Sequence, residues 1–491
     1  MMQARWLQCV LVGVLAIQAG ACRAQPAPIR PPDGAFAPPV TRSFQEFGAI
    51  GDGRADDTAA IGRALLVSER YCLDGGGRTY RVVGTLRAAK SLCLRNATLA
   101  QSLVPFDTSK YITGTCPVVD DTQAFTDCGD RAVPQEEMTR LLQSLGVRTL
   151  LIRSNDDRPV RINLERVKID RGRHTDGGSR IDSAGIWLDG ADRVDFRDVE
   201  ITGNGKGFGL FISNARNVTL NNLWIHDLIW SPYRGDARLR EAAVASVGWN
   251  RVPIREFRER RGGVKIAKFY GVRIQEQVTC AQLQDVRHVR IQNARIERCE
   301  ARFDTGDLPW QADGLDIGQS SSDIVIDGAT IDSTWEGIDV VAGGTGVRDL
   351  VINDLDVTNV FSFGLKLGYA LRGARIDRPT LVNAGLAGAV VYGPVRDVRI
   401  TGATIRDVGL ISANGRTRSP WPSGNRSGIR IDSGGGGATP EGVLIEDATV
   451  SGSPGNYEFG ILNTGGRAIQ LVRFRAQGFA RAQSQGFDTR R

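Results

Sequence analysis

Residues 314–331 read Gly314-Leu315-Asp316-Ile317-Gly318-Gln319-Ser320-Ser321-Ser322-Asp323-Ile324-Val325-Ile326-Asp327-Gly328-Ala329-Thr330-Ile331, and this pattern organises the chain. Counted from Ile324, apolar residues stand at offsets 0, 2, 5 and 7: Ile324, Ile326, Ala329 and Ile331. The same offsets fit Ile162/Leu164/Val167/Ile169, Val194/Phe196/Val199/Ile201, Val218/Leu220/Leu223/Ile225 and Val289/Ile291/Ala294/Ile296. They fit again at Leu350/Ile352/Leu355/Val357, Ala374/Ile376/Pro379/Leu381, Val398/Ile400/Ala403/Ile405, Val443/Ile445/Ala448/Val450 and Ile469/Leu471/Phe474/Ala476. Alternation puts the apolar side chains of each short strand on one face. The two residues between the half-strands are often Asn, Asp or Gly, as in Asn221-Asn222, Asp327-Gly328 and Asn353-Asp354. Such residues tolerate the left-handed backbone of a sharp corner. A third strand, opening on Gly, precedes most copies: Gly185, Gly209, Gly314, Gly337, Gly364, Gly388 and Gly428.

Uninterrupted copies recur every 23 to 27 residues. Three short strands per repeat predict an all-β parallel β-helix, one coil per repeat, with ten or more coils over 161–480. A leucine-rich repeat would show one strand per repeat and its Leu/Asn consensus, and a propeller needs repeats of ~40–45 residues. Residues 43–160 read as an N-terminal cap and first coils. There Asp56 and Asp57 can cap a helix whose stripe is Ile61, Ala64 and Leu65, and a second helix is expected over Gln135–Leu145. Residues 481–491 read as a tail.

The composition agrees. With 41% hydrophobic and 24% charged residues the chain is no disordered segment. Its 59 Gly show no period of three, which excludes collagen. Three His in 491 residues argue against a multi-His metal site. His174, His226 and His288 fall on different coils and read as structural. The net charge of +7, with 55 acids interspersed, does not describe a nucleic-acid-binding tail and suits an acidic partner.

The N-terminus reads as a targeting segment over 1–21: Arg5, an apolar run from Trp6 to Ile17, then Ala19, Gly20 and Ala21 before Cys22. This looks like a lipoprotein signal with Cys22 as the lipidated residue; ordinary cleavage near Ala24 is the alternative. A Pro/Ala-rich tether follows over 22–42. The protein is therefore expected to be exported, as an outer-membrane lipoprotein or a periplasmic or extracellular protein, and to be a monomer. It would touch membrane only through the lipid. Six further cysteines form three sequence-local pairs, Cys72/Cys93, Cys116/Cys128 and Cys280/Cys299, which suggests three disulfides in an oxidising compartment.

The run from Phe47 to Ile61, FGAIGDGRADDTAAI, resembles the opening signature of the pectate-lyase-like superfamily. The resemblance implies a single-stranded right-handed parallel β-helix, and a membership of pectin-degrading lyases and hydrolases, epimerase-like proteins and phage tailspikes. No chemistry is assigned to Asp52, Asp56 or Asp57. Gln311-Ala312-Asp313-Gly314-Leu315-Asp316 is similar to the first acidic motif of polygalacturonase-type glycoside hydrolases, in which one Asp is catalytic; the resemblance implies that role for Asp313. Where that family has paired Asp, this chain has Trp335-Glu336-Gly337, leaving Glu336 to stand in. Ser362-Phe363-Gly364 lacks the family's His, and Arg430-Ile431-Asp432 echoes its Arg-Ile-Lys motif with Asp in place of Lys.

Stacking supplies a site independently. Equivalent residues of successive coils lie about 4.8 Å apart. The position two after the strand-opening Gly points away from the interior and reads Trp187, Phe211, Asp316, Asp339, Lys366, Val390 and Arg430. One coil between Phe211 and Asp316 is unplaced. Asp316 and Asp339 would be neighbouring carboxylates, which favour a cation or a proton between them. Asp313 and Glu336 enter the same two strands, and Lys366 follows one coil on. Insertions at 170–184, 226–262, 297–313 and 406–427 would rise beside this sheet. They carry aromatics, and the 226–262 insertion carries eight Arg. Trp187, Phe211, Trp310 and Trp335 are candidate sugar contacts.

The reading is an enzyme cleaving an acidic, uronate-containing polysaccharide, favoured as a lyase acting by β-elimination, with hydrolysis as the alternative. In a lyase, Lys366 would be the base, with Asp316 and Asp339 holding Ca²⁺. In a hydrolase, Asp313 and Glu336 or Asp339 would be acid and base, with Arg430 nearby. A non-catalytic glycan-binding or adhesion solenoid is the third alternative.

Overall fold

A computed structural model describes residues 36, 38, 40–102, 124–126, 132–134, 147–154, 159–172, 183–203, 207–230, 278–301, 312–340, 344–409, 426–433, 438–452, 458–479 and 481–487. The signal segment, Cys22, the Cys116/Cys128 pair, the helix expected over 135–145, His174, Trp310 and nearly all of the arginine-rich insertion lie outside these residues.

The described residues are almost entirely strand, with a single α-helix, Thr58–Leu65; all strands join one parallel ladder except Ala124–Thr126 and Ala132–Pro134, which pair antiparallel with each other. The ten copies of the apolar template stack in register. Val289 pairs with Ile324, Ile324 with Leu350, Leu350 with Ala374 and Ala374 with Val398. An eleventh copy, Leu92/Leu94/Ala97/Leu99, precedes them and pairs with Ile162/Leu164/Val167/Ile169. Template residues are buried in one continuous core from Leu92 to Val450. In the last copy Ile469, Leu471, Phe474 and Ala476 are only half-buried, and among the described residues no coil stacks beyond their strands. The ladder also runs past residue 480, where periodicity marked its end: Ala482–Gln485 pairs with Phe459–Asn463.

Two backbone constraints recur in every coil. The second residue between the half-strands is left-handed in all eleven copies, from Asn96 (φ 53°) to Arg473 (φ 49°). Where that residue is Arg, its side chain reaches back to the same corner one coil earlier. Arg166 Nε donates to Asn96 Oδ1 at 2.7 Å, and Arg378 binds both oxygens of Asp354 at 2.8 Å. The strand-opening Gly answers a different need. A Cβ on Gly185 would lie 2.7 Å from the Gly209 carbonyl oxygen and 2.7 Å from Ile201 Cγ2, below any normal contact. In one coil Cys280 takes that place and forms a disulfide with Cys299, while Cys72 bonds Cys93 across adjacent coils.

The opening signature is structural. Buried Asp57 stands at the start of the helix, but its carboxylate does not cap it; it accepts the N–H groups of Ile50 (2.7 Å) and Gly51 (3.0 Å). Asp56 instead accepts the Thr58 N–H at 3.0 Å. The helix buries Ala60, Ile61, Ala64 and Leu65 in the core.

Gly185→Ala is expected to destabilise the protein by about 1–3 kcal/mol through overpacking. Gly62→Ala, on the helix with open space around it, is expected to be neutral or stabilising by up to ~1 kcal/mol. Thermal unfolding midpoints of the two variants check the contrast.

Candidate active site

The site is built on the strand that opens each coil. Ala312–Gly318 pairs with Ile338–Val340, which pairs with Phe363–Gly368. This register places Asp316 beside Asp339 and Asp339 beside Lys366. Asp313 and Glu336 precede the paired residues Leu315 and Ile338 by two, so they are neighbours as well. The coil missing from the sequence reading is Val278–Gln284, which inserts Gln282 between Phe211 and Asp316. It escaped a search for Gly because Cys280 stands there. Cys280 lies nine residues before Val289, as Gly209 lies nine before Val218, so spacing alone could have found it.

These groups do not lie on an exposed face. Relative exposure is 1% for Asp313, 2% for Asp316, 3% for Glu336 and 1% for Asp339, and 14% for the Lys366 side chain. The Lys366 ammonium donates to Glu336 Oε2 at 3.0 Å and to Asp339 Oδ2 at 2.8 Å. Burial holds the Glu336 carboxyl well above its ordinary value of 4.5; Lys366 opposes the rise, and Asp339 and Asp313 add to it. Burial also works against the Lys366 ammonium, but Glu336 and Asp339 outweigh it and hold Lys366 well above the ordinary lysine value. The Lys366 ammonium thus bridges the two acids, while burial favours the protonated form of Glu336. A lysine held this way is a poor base.

Asp313, Asp316 and Asp339 each bring one carboxylate oxygen within 4.8 Å of the others. Asp339 Oδ1 is buried with no hydrogen-bond partner among the described residues. Oxygen ligands at this spacing fit Ca²⁺, whose ligands sit at roughly 2.3–2.6 Å.

The other sequence candidates fall elsewhere. Arg430 lies two coils beyond Lys366, with Val390 between, and pairs with Asp432 of its own strand. Trp335 belongs to the hydrophobic core, packed on Phe361 with ring centroids 4.5 Å apart, so its ring is not presented to a groove. Trp187 and Phe211 stack on each other at 4.1 Å, and the Arg148 guanidinium covers Trp187 at 4.8 Å from the preceding coil. In-register stacking thus turns ring faces toward neighbouring coils. His226, read as structural, bridges Asp227 (2.8 Å) and Glu200 (3.1 Å) and stacks on Trp224. Tyr369, which the sequence reading did not single out, lies with its ring centroid 5.6 Å from Lys366 Nζ.

No protein-family model matches the chain, and no curated protein matches it. Solved structures do. The Dettilon tailspike protein aligns at TM-score 0.51 and 13% identity over 88% of this chain and 68% of its own. A Streptococcus pneumoniae surface adhesin, PfbA, aligns at TM-score 0.47 and 12% identity over 91% and 93%. A Yersinia enterocolitica family 28 exopolygalacturonase aligns at TM-score 0.46 and 12% identity over 90% and 78%. The fold is a parallel β-helix. It is the fold that the resemblance of the opening run implied. At these identities the likeness extends to fold alone, and the chemistry must be argued from the site.

Two predictions test the charge assignment. A folded-state pKa raised above 4.5 at Glu336 stabilises the protein fully below that value and progressively less as pH rises through the folded pKa. The urea midpoint of the wild type is therefore expected to fall relative to Glu336→Gln as pH rises from 4.5; parallel profiles would contradict the assignment. Lys366→Ala leaves buried carboxylates without their cation and is expected to cost about 3–5 kcal/mol. Chemical denaturation measures the loss.

Proposed function

We propose that the protein is an exported enzyme that cleaves an acidic, uronate-containing polysaccharide by acid–base hydrolysis. The observation that carries this reading is the buried clustering of Glu336, whose carboxyl burial holds well above its ordinary value, with the acids that enter the same strands. Glu336 would donate its proton to the glycosidic oxygen as the bond from the anomeric carbon breaks. Asp313 would take a proton from the water that forms the new bond to that carbon. Lys366 holds the cluster's charge and is not the proton acceptor. Export with a lipid on Cys22 and an acidic glycan as partner belong to the same proposal.

The Asp313, Asp316 and Asp339 arrangement favours a second reading, β-elimination. Ca²⁺ held by these residues would neutralise a substrate carboxylate. Lys366 would then need to lose its proton, against the two carboxylates that bind it. A glycan-binding solenoid without turnover is the remaining alternative.

Polygalacturonate, alginate and glycosaminoglycans, each with and without a chelator, distinguish the three. Hydrolysis yields new reducing ends with no ultraviolet absorbance from a conjugated double bond, and Glu336→Gln is expected to lower turnover by about 10²–10⁴-fold. A double-bond signal abolished by chelator would establish the elimination instead. Turnover unchanged in Glu336→Gln would overturn the acid–base assignment.

A further inference from the structure

In six coils the fifth residue after the strand-opening position has a left-handed backbone: Gly190, Asn214, Asp285, Gln319, Tyr369 and Gly393. Gly, Asn and Asp adopt this conformation readily, whereas a bulky aromatic there is an outlier. Tyr369 (φ 53°) is that outlier, and Ala370 (φ 65°) follows it in the same region. The turn is built in: Leu371 N–H closes it on the Gly368 carbonyl at 3.3 Å. One coil earlier Gly346 leaves the room, since a Cβ there would run into the Ala370 carbonyl. The strained residue falls on the coil that carries Lys366. Its half-buried ring lies 5.6 Å from Lys366 Nζ and edge-on to Tyr392 at 5.6 Å.

We propose that Tyr369 is a positioning residue: the left-handed turn sets its ring beside the Lys366 ammonium and keeps that ammonium on Glu336 and Asp339. Packing alone is a poor account of the residue, because Gly, Asn, Asp or Gln serves at the same place in other coils. Strain of this kind collects where a side chain must be aimed, and an ammonium near an aromatic ring is attracted to it. The proposal depends on the acid–base reading only for its consequence in turnover; the contact itself stands apart from it.

The test uses the full chain and needs no substrate. Acylation of Lys366 by acetic anhydride is followed by peptide mass spectrometry in wild type, Tyr369→Phe, Tyr369→Gly and Tyr369→Asn. The Gly and Asn variants, which suit the left-handed turn, are expected to acylate about two- to fivefold faster, the scale of a cation–π contact at a partly exposed site. Tyr369→Phe is expected to match wild type. The thermal midpoint of Tyr369→Gly is expected to rise as strain is released, whereas a packing residue would lower it. Wild-type acylation in both the Gly and Asn variants, faster acylation in Tyr369→Phe, or a lowered midpoint in both Gly and Asn each overturns the proposal. Absence of turnover in wild type on polygalacturonate, alginate and glycosaminoglycans would overturn the acid–base reading and leave the acylation result standing.

Discussion

The described coils of this protein pair in register, each with its neighbours along the stack. That constraint governs the rest. At a coil spacing of about 4.8 Å, a residue's nearest neighbours are its equivalents one coil away, so each position along the repeat becomes a column. A column must be compatible with itself. The apolar columns satisfy this by burying Ile, Leu and Val on one another. The strand-opening column satisfies it with Gly, because the next coil's carbonyl passes where a Cβ would be. The corner column satisfies it with left-handed residues whose side chains bond along the stack.

The candidate site is where a column violates that rule. Like charges one coil apart repel, and Asp316 above Asp339 is such a pair, with Asp313 and Glu336 beside them. Burial makes the repulsion worse by removing water. The Lys366 ammonium from the next coil offsets the repulsion, and burial favours a proton on Glu336. The same low-dielectric surroundings that make the cluster costly shift these pKa values, and a retained proton on a carboxylic acid is what acid catalysis requires. Stability and chemistry are therefore linked at one place.

Columns also explain where the site departs from what alternation implies. Alternation correctly places Trp187, Phe211, Asp316, Asp339 and Lys366 on the face away from the core. It does not tell that this face is covered, and Asp316 and Asp339 are as buried as core residues. Nor does it tell that an aromatic in a column stacks on its neighbour, as Trp187 does on Phe211. Trp335 shows the limit at a corner. Period-two reasoning ends where the strand ends, and the ring turns into the core against Phe361. Tyr369 was invisible for a related reason, since its significance lies in a backbone angle and in a contact with Lys366.

The sequence by itself determined the repeat, the parallel β-helix and the register. Offsets of 0, 2, 5 and 7, a strand-opening Gly and corner residues specify one coil locally, and stacking then repeats it. The adjacency of Asp316, Asp339 and Lys366 followed from that register without coordinates. What only the tertiary structure decided was burial and charge state. Whether a side chain on the outer face meets water or protein depends on segments far away in sequence. Burial in turn decides whether Glu336 keeps its proton and Lys366 its charge, so the roles within the cluster emerge only from the folded chain.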